Sequence, residues 1–191
     1  MTNEQTIQAG SPSERDAAAA MPDLLMDLSA MDLGATECSR EELQRWIPHR
    51  GDMLFPDRIV WIDDALTACL GVMEVPDDAF WVEGHFPNYP LMPGVLQVEA
   101  AAQIACYLFN RSKGGPQLAA LLRIEEAAFR NGVVPGDRLY LLSTEVKSGR
   151  RRFITNVQGV IGDPPNSKVA FTARVSGMST GPFAPETFGK D

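Results

Sequence analysis

The stretch GHFPNYPLMPG, residues 84 to 94, surrounds His85 with a glycine and three prolines and then opens into an apolar run. Pro87, Pro90 and Pro93 each fix φ and remove a backbone donor, and Gly84 permits close backbone approach, so the imidazole sits in a stiffened loop. An imidazole held in this way is suited to general-base work. Pro93 and Gly94 stand where a helix should begin. Its first N–H groups are then unpaired and point outward with the positive end of the helix dipole, ready to bind an oxygen. Glu99 falls in the second turn among Val95, Val98, Ala100 and Ala102, where burial favours a protonated, proton-donating carboxyl. Gln103 lies one turn further along the same face and can bond or orient that carboxyl. A base, an acid and a carbonyl-polarising amide therefore converge between positions 85 and 99. The ordinary reading is that a histidine in a proline-rich loop is a satisfied structural residue. A lone carboxyl in an apolar helix is harder to place without a role, because such groups are rarely buried unpaired.

These residues need a scaffold, and 191 residues with 45% apolar content suffice for one good core with tails. Cys38, Cys69 and Cys106 form no metal-ligand spacing and no readable disulfide framework, which points to a reducing, cytoplasmic setting and away from metal chemistry. No basic, then apolar leader and no membrane-length apolar window is present. Net charge is −8, yet residues 1 to 48 hold nine acidic and three basic side chains, so the acidity belongs mostly to the leader. Between Arg123 and Arg174 nine basic residues face five acidic ones, which makes an acidic partner plausible there. Nucleic acid is a poor candidate, because basic and aromatic residues do not interleave as a platform.

Residues 1 to 20 are too poor in apolar side chains to offset ordering entropy and read as disordered, and residues 1–38 as a whole form a flexible acidic leader. Leu24, Leu25, Leu28 and Met31 near its end have helical spacing and predict a short helix. Ser39 and Glu42 fit a capping box for a helix ending at Ile47 before Pro48. RIVWID and LTACLGVMEV flank Asp63 and Asp64 as a β-hairpin. Val95 to Asn110, without Gly or Pro, predicts a helix about 24 Å long that is apolar on nearly every face except at Gln97, Glu99 and Gln103. QLAALLRI, DRLYLLSTEV, RFITNVQGVI and KVAFTARVSG, separated by turn signals, supply strands to wrap it. The expected architecture is α+β: one long buried helix in a curved antiparallel sheet over residues 39–177, with a tail at 178–191.

GHFPNYPLMPGVLQVEAAAQ resembles the signature of the beta-hydroxyacyl-[acyl-carrier-protein] dehydratases of type II fatty acid synthesis. IPHRGDMLFPDRIVWID resembles the family's opening Pro-His-Arg and Asp-Arg elements, and AFRNGVVPGDRLYL its later Val-Pro-Gly-Asp segment, so the similarity runs from about Leu43 to Gly177. The resemblance implies the hotdog fold, a dimer or trimer of dimers, and reversible loss of water from a beta-hydroxyacyl thioester to give a trans-2-enoyl thioester. It implies no metal and no redox cofactor. His85 and Glu99 map onto the family's catalytic pair, drawn from different subunits, and the Gly94 N–H onto the group that binds the thioester carbonyl. Phe86, Pro93 and Gln103 are expected beside the substrate. The partner implied is an acidic acyl carrier protein, for which Lys147, Arg150, Arg151 and Arg152 are a candidate dock. His49 and Arg50 also match family positions and are assigned to structure or to a tunnel mouth. GDMLFPDR lacks a proline that family members often carry there, and a related branch that also isomerises the double bond has aspartate in place of Glu99. Glutamate leans toward plain dehydration. A hotdog thioesterase and a non-catalytic carrier-binding hotdog are the competing readings.

Overall fold

A computed structural model describes residues 23–188. Ser39 caps α1 (Arg40–Trp46): its hydroxyl accepts the Glu42 N–H, and the Glu42 carboxylate accepts from the Ser39 backbone in return. β2 (Arg58–Ile62) and β3 (Ala68–Glu74) form the expected antiparallel pair, with the short β1 (Cys38–Ser39) added at the edge of β2. α2 (Gly94–Lys113) is longer than predicted and ends at Gly114, whose φ of 70° terminates it. β4 (Gln117–Phe129), β5 (Arg138–Ser148), β6 (Arg152–Ile161) and β7 (Lys168–Pro182) complete a seven-stranded sheet in the order β1-β2-β3-β5-β6-β7-β4, antiparallel throughout.

The sheet curves around α2 because register shifts interrupt it, three of them between β4 and β7. Val98, Ala101, Ile104, Ala105, Leu108 and Phe109 of the helix are buried against strand residues that include Leu139, Leu141, Val157 and Phe171. Close packing sets residue types here: a Cβ at Gly71 would lie 2.3 Å from Ile104 Cδ1, so β3 can approach the helix only as glycine. Asn110, fully buried, donates from Nδ2 to the carbonyls of Trp46 and Gln117 and so ties α1, α2 and β4 together. Among the described residues no helix is long and apolar enough to cross a membrane.

The expected disorder of residues 1 to 20 lies outside the described residues. Within residues 23–38, Leu28 and Cys38 are buried and the others are partly or fully exposed. Leu28, 1% exposed, joins Val60, Leu70, Val72, Tyr140, Leu142 and Val160 in a second apolar cluster, with Leu25, Met26 and Leu33 packed against it. Buried Gln158 fastens the segment by accepting the Leu25 N–H at 3.1 Å and donating to the Asp23 carbonyl at 3.2 Å. The predicted helix there shrinks to one 3-10 turn, Leu28–Ala30, because Asp27 caps Ser29 and Met31 returns to extended backbone. At the other end β7 continues past Gly177 to Pro182, since β4 pairs with it through Gln117 and Pro182.

Candidate active site

The His85 loop is fixed from both sides. The His85 N–H donates to the Trp81 carbonyl at 2.8 Å, the buried Trp81 anchors that turn, and Met92 N–H reaches the Val133 carbonyl at 2.8 Å. Asn88 takes a left-handed φ of 66°, which asparagine tolerates better than most residues and which lets the chain reverse between Pro87 and Pro90. The ring itself is aimed by one contact: Nδ1 lies 2.6 Å from the Leu91 carbonyl oxygen. A carbonyl only accepts, so Nδ1 carries the hydrogen, and in the neutral ring the lone pair is on Nε2.

His85 lines an open cleft of about 530 Å³ between the start of α2 and the end of β4, with Leu91, Pro93, Gly94, Gln97 and Phe129 among its walls. Phe86, 54% exposed, lies against the imidazole with ring centroids 4.2 Å apart. Pro93 is the N-cap of α2 and has no capping side chain, and its carbonyl accepts the N–H groups of Leu96 and Gln97. Among the described residues the N–H groups of Gly94 and Val95 have no acceptor. Two unpaired donors thus sit at the positive end of a 20-residue helix beside the Nε2 lone pair. A Cβ at Gly94 would stand 2.8 Å from two carbons of the half-exposed Phe129 ring, so a side chain there would require that ring to shift.

Glu99 occupies a different side of the helix. Its Oε1 accepts from Gln103 Nε2 at 2.9 Å and lies 3.4 Å from His49 Nε2. Gln103 is fully engaged: Nε2 also donates to the Met53 carbonyl at 2.8 Å, and Oε1 accepts the Phe55 N–H at 3.1 Å. It therefore orients Glu99 and pins the 53–55 loop. The expected burial of Glu99 is absent in the single protomer, where its side chain is 28% exposed. His49 is a neighbour of Glu99 that the sequence does not reveal, because nothing local connects positions 49 and 99. Arg50 holds its loop by donating to the carbonyls of Ile47 and His49.

Burial pushes the His49 imidazole below its ordinary 6.5, opposed by the Glu99 carboxylate and assisted by Arg50. A depressed folded-state value means that the unfolded chain binds the proton more readily. The stability associated with neutral His49 is present above about pH 6.5 and is lost as pH falls through the folded value. Thermal melts of wild type and His49→Gln between pH 7.5 and 5 should diverge, with the wild type losing more stability on acidification. Parallel curves would contradict this.

Gly94, Val95 and Gln97 line the His85 cleft, whereas Glu99, one turn beyond Val95, does not. Within one protomer the histidine against Glu99 is His49, and no ion pair joins Glu99 to His85. The Val95 face is apolar and uncovered, with Val95 74% exposed.

The sequence profile of the FabA-like domain matches residues 47–164, more than half of the chain and a span that includes both halves of this site. The chain belongs to the FabA-like family. The 3-hydroxyacyl-[acyl-carrier-protein] dehydratase FabZ of Sinorhizobium fredii is 40% identical over 123 residues, which are 64% of this chain and 78% of that protein. The enzyme of the same name from Halalkalibacterium halodurans is 37% identical over 124 residues, 62% of this chain and 88% of its own. Among solved structures, the dehydratase heterocomplex ApeI:P from Xenorhabdus doucetiae aligns with a TM-score of 0.57 at 16% identity, covering 72% of this chain and 90% of that one. A hypothetical thioesterase with coenzyme A from Streptococcus pneumoniae aligns at 0.51 and 14% identity, covering 66% and 88%. At those identities the likeness is one of fold, and the fold is the hotdog: a long helix wrapped by an antiparallel sheet.

The family segment also contains all four basic residues expected to dock a partner, and the structure divides them. Lys147 and Arg152 line a groove of about 420 Å³ with Arg123, next to Glu125. Arg151 turns away and donates from Nε to the Ser179 carbonyl at 3.0 Å, while Arg150 is exposed in the turn before β6.

Proposed function

We propose that the protein catalyses reversible dehydration of 3-hydroxyacyl thioesters carried by acyl carrier protein, giving trans-2-enoyl thioesters in fatty acid or related acyl-chain synthesis. The observation that carries this reading is the His85 cleft, where an imidazole with a defined Nε2 lone pair faces the unpaired N–H groups of Gly94 and Val95. Family membership and the activity for which the FabZ relatives are named agree with it.

The mechanism follows from the parts. The thioester oxygen binds at the helix N-terminus, and His85 Nε2 removes the α-proton as negative charge grows on that oxygen, opposite the Gly94 N–H and the dipole. The electrons return to form the Cα–Cβ double bond as the Cβ–O bond breaks, and the hydroxyl leaves as water with a proton from Glu99. The proton held by His85 then returns to the carboxylate through solvent.

The acid comes from a second copy. β4 is an edge strand paired only to β7, and it exposes Leu118, Leu121, Leu122, Ile124 and Phe129, an apolar run that a free edge would not keep in water. Pairing two copies there covers it, along with the Val95 face beside Glu99. His85 of one protomer then meets Glu99 of its partner in a homodimer, which can assemble further into a trimer of dimers.

The carrier docks on the Lys147–Arg152 groove, where its acidic surface finds Arg123 as a third cation. Three buried thiols without a disulfide suit a cytoplasmic location. The reading is tested by following enoyl absorbance with trans-2-enoyl thioesters on carrier protein and on CoA. Hydration of both is expected, and Lys147→Glu with Arg152→Glu should raise KM for the carrier-linked substrate about ten-fold at low salt while leaving the CoA substrate unchanged. Release of free thiol without hydration would overturn the assignment, and equal effects on both substrates would place the dock elsewhere.

A further inference from the structure

Gln97 is a polar side chain in the wall of the His85 cleft, one helical turn beyond Gly94, and it is only 4% exposed. Its amide is half used. Nε2 donates to the Met92 carbonyl at 3.2 Å, whereas Oε1 is buried with no hydrogen-bond partner. Turning the amide over would set oxygen against the Met92 carbonyl, so the unsatisfied atom is the acceptor. A buried acceptor left without a donor is costly, and here neither bulk water nor the described residues satisfy it.

We infer that Gln97 is a positioning and specificity residue whose Oε1 accepts the O–H of the substrate's β-hydroxyl group. The inference rests on the dehydration reading above and adds a residue to it. The hydroxyl has one hydrogen to donate and lone pairs to receive a proton. Reaction requires that a lone pair face the acid, so the existing O–H needs an acceptor on another side. The cleft supplies few. Nδ1 of His85 is spent on Leu91, Nε2 is reserved for the α-proton, and the helix N-terminus offers only donors. Asn131 also lines the cleft with a side-chain oxygen that accepts no bond among the described residues, but Gln97 Oε1 is the acceptor there that is buried and unpaired, so a ligand donor relieves the largest cost at that atom. Once bound, the hydroxyl is held with a lone pair free for Glu99. A saturated acyl chain has no such donor and leaves the acceptor unpaired, which is discrimination of the kind that a hydrogen-bonding site exerts against an analogue lacking the group.

The test uses the full-length protein with His85→Ala, so that ligands bind without turnover. Dissociation constants are measured for 3-hydroxydecanoyl-CoA and for decanoyl-CoA, then again with Gln97→Met added. The ratio favouring the hydroxylated ligand should fall about ten-fold on substitution, mostly through weaker 3-hydroxydecanoyl-CoA binding. Gln97→Asn, which keeps the amide but draws it back by one methylene, should shift the ratio in the same direction. An unchanged ratio, or equal weakening of both ligands, overturns the role of Gln97 and leaves the dehydratase reading intact. Failure of either thioester to bind the His85→Ala protein would instead count against the reading itself, and the inference would fall with it.

Discussion

His85→Ala should fold with an unchanged melting temperature and lose dehydration by on the order of 10²- to 10⁴-fold, the range that a positioned general base supplies. The ring makes one side-chain hydrogen bond, from Nδ1 to the Leu91 carbonyl, and the loop is held independently by backbone bonds to Trp81 and Val133. Losing the imidazole therefore removes a lone pair and little structure. Glu99→Gln should show a loss of similar size, because the amide can keep accepting from Gln103 Nε2 while it cannot deliver a proton to the leaving hydroxyl. Neither loss should be confined to KM, since both groups act as bonds break. Turnover assays with 3-hydroxyacyl thioesters, alongside thermal melts, check this. Full activity in either variant would remove that residue from the chemistry, and a collapsed melting temperature would assign it to the fold.

Much of the scaffold was legible because local physics determines it. The Ser39 and Glu42 pair marked the start of α1, and the long Gly-free, Pro-free run marked α2, whose extra turn through Lys113 ends where Gly114 can adopt its left-handed φ. Strand cores were visible in the β-branched runs, but their ends were not. β4 reaches Phe129 through Glu125 and Glu126, where Glu126 takes a φ of 53° in an irregular stretch that local patterning reads as a break. β7 runs on through Gly177 because β4 and β6 pair with it there, and glycine suits the position because the Phe153 ring occupies the space that a Cβ would need. The contacts of the segment before β1 have no local signature, because the Gln158 side chain that bonds it lies more than a hundred residues away.

The site divides along the same line. His85, its prolines and Gly94 form one local unit, and their stretch of sequence describes the cleft that they build. Glu99 and Gln103 were placed by helical spacing, and the bond between them is present at 2.9 Å. Contacts that cross the chain were not readable in advance: His49 against Glu99, Gln103 on the 53–55 loop, and the unpaired oxygen of Gln97. Gln97 left one trace, as a polar interruption in an otherwise apolar helix.

Each reaction centre is expected to be built from two copies of the chain. His85→Ala and Glu99→Gln proteins, each inactive alone, can be mixed, dissociated and reassembled, and their dehydration rate measured. Mixed dimers hold one site with both mutations and one with neither. Random pairing should therefore restore about a quarter of wild-type activity. A mixture in which subunits have demonstrably exchanged, yet which stays as inactive as its components, would contradict a centre shared between protomers.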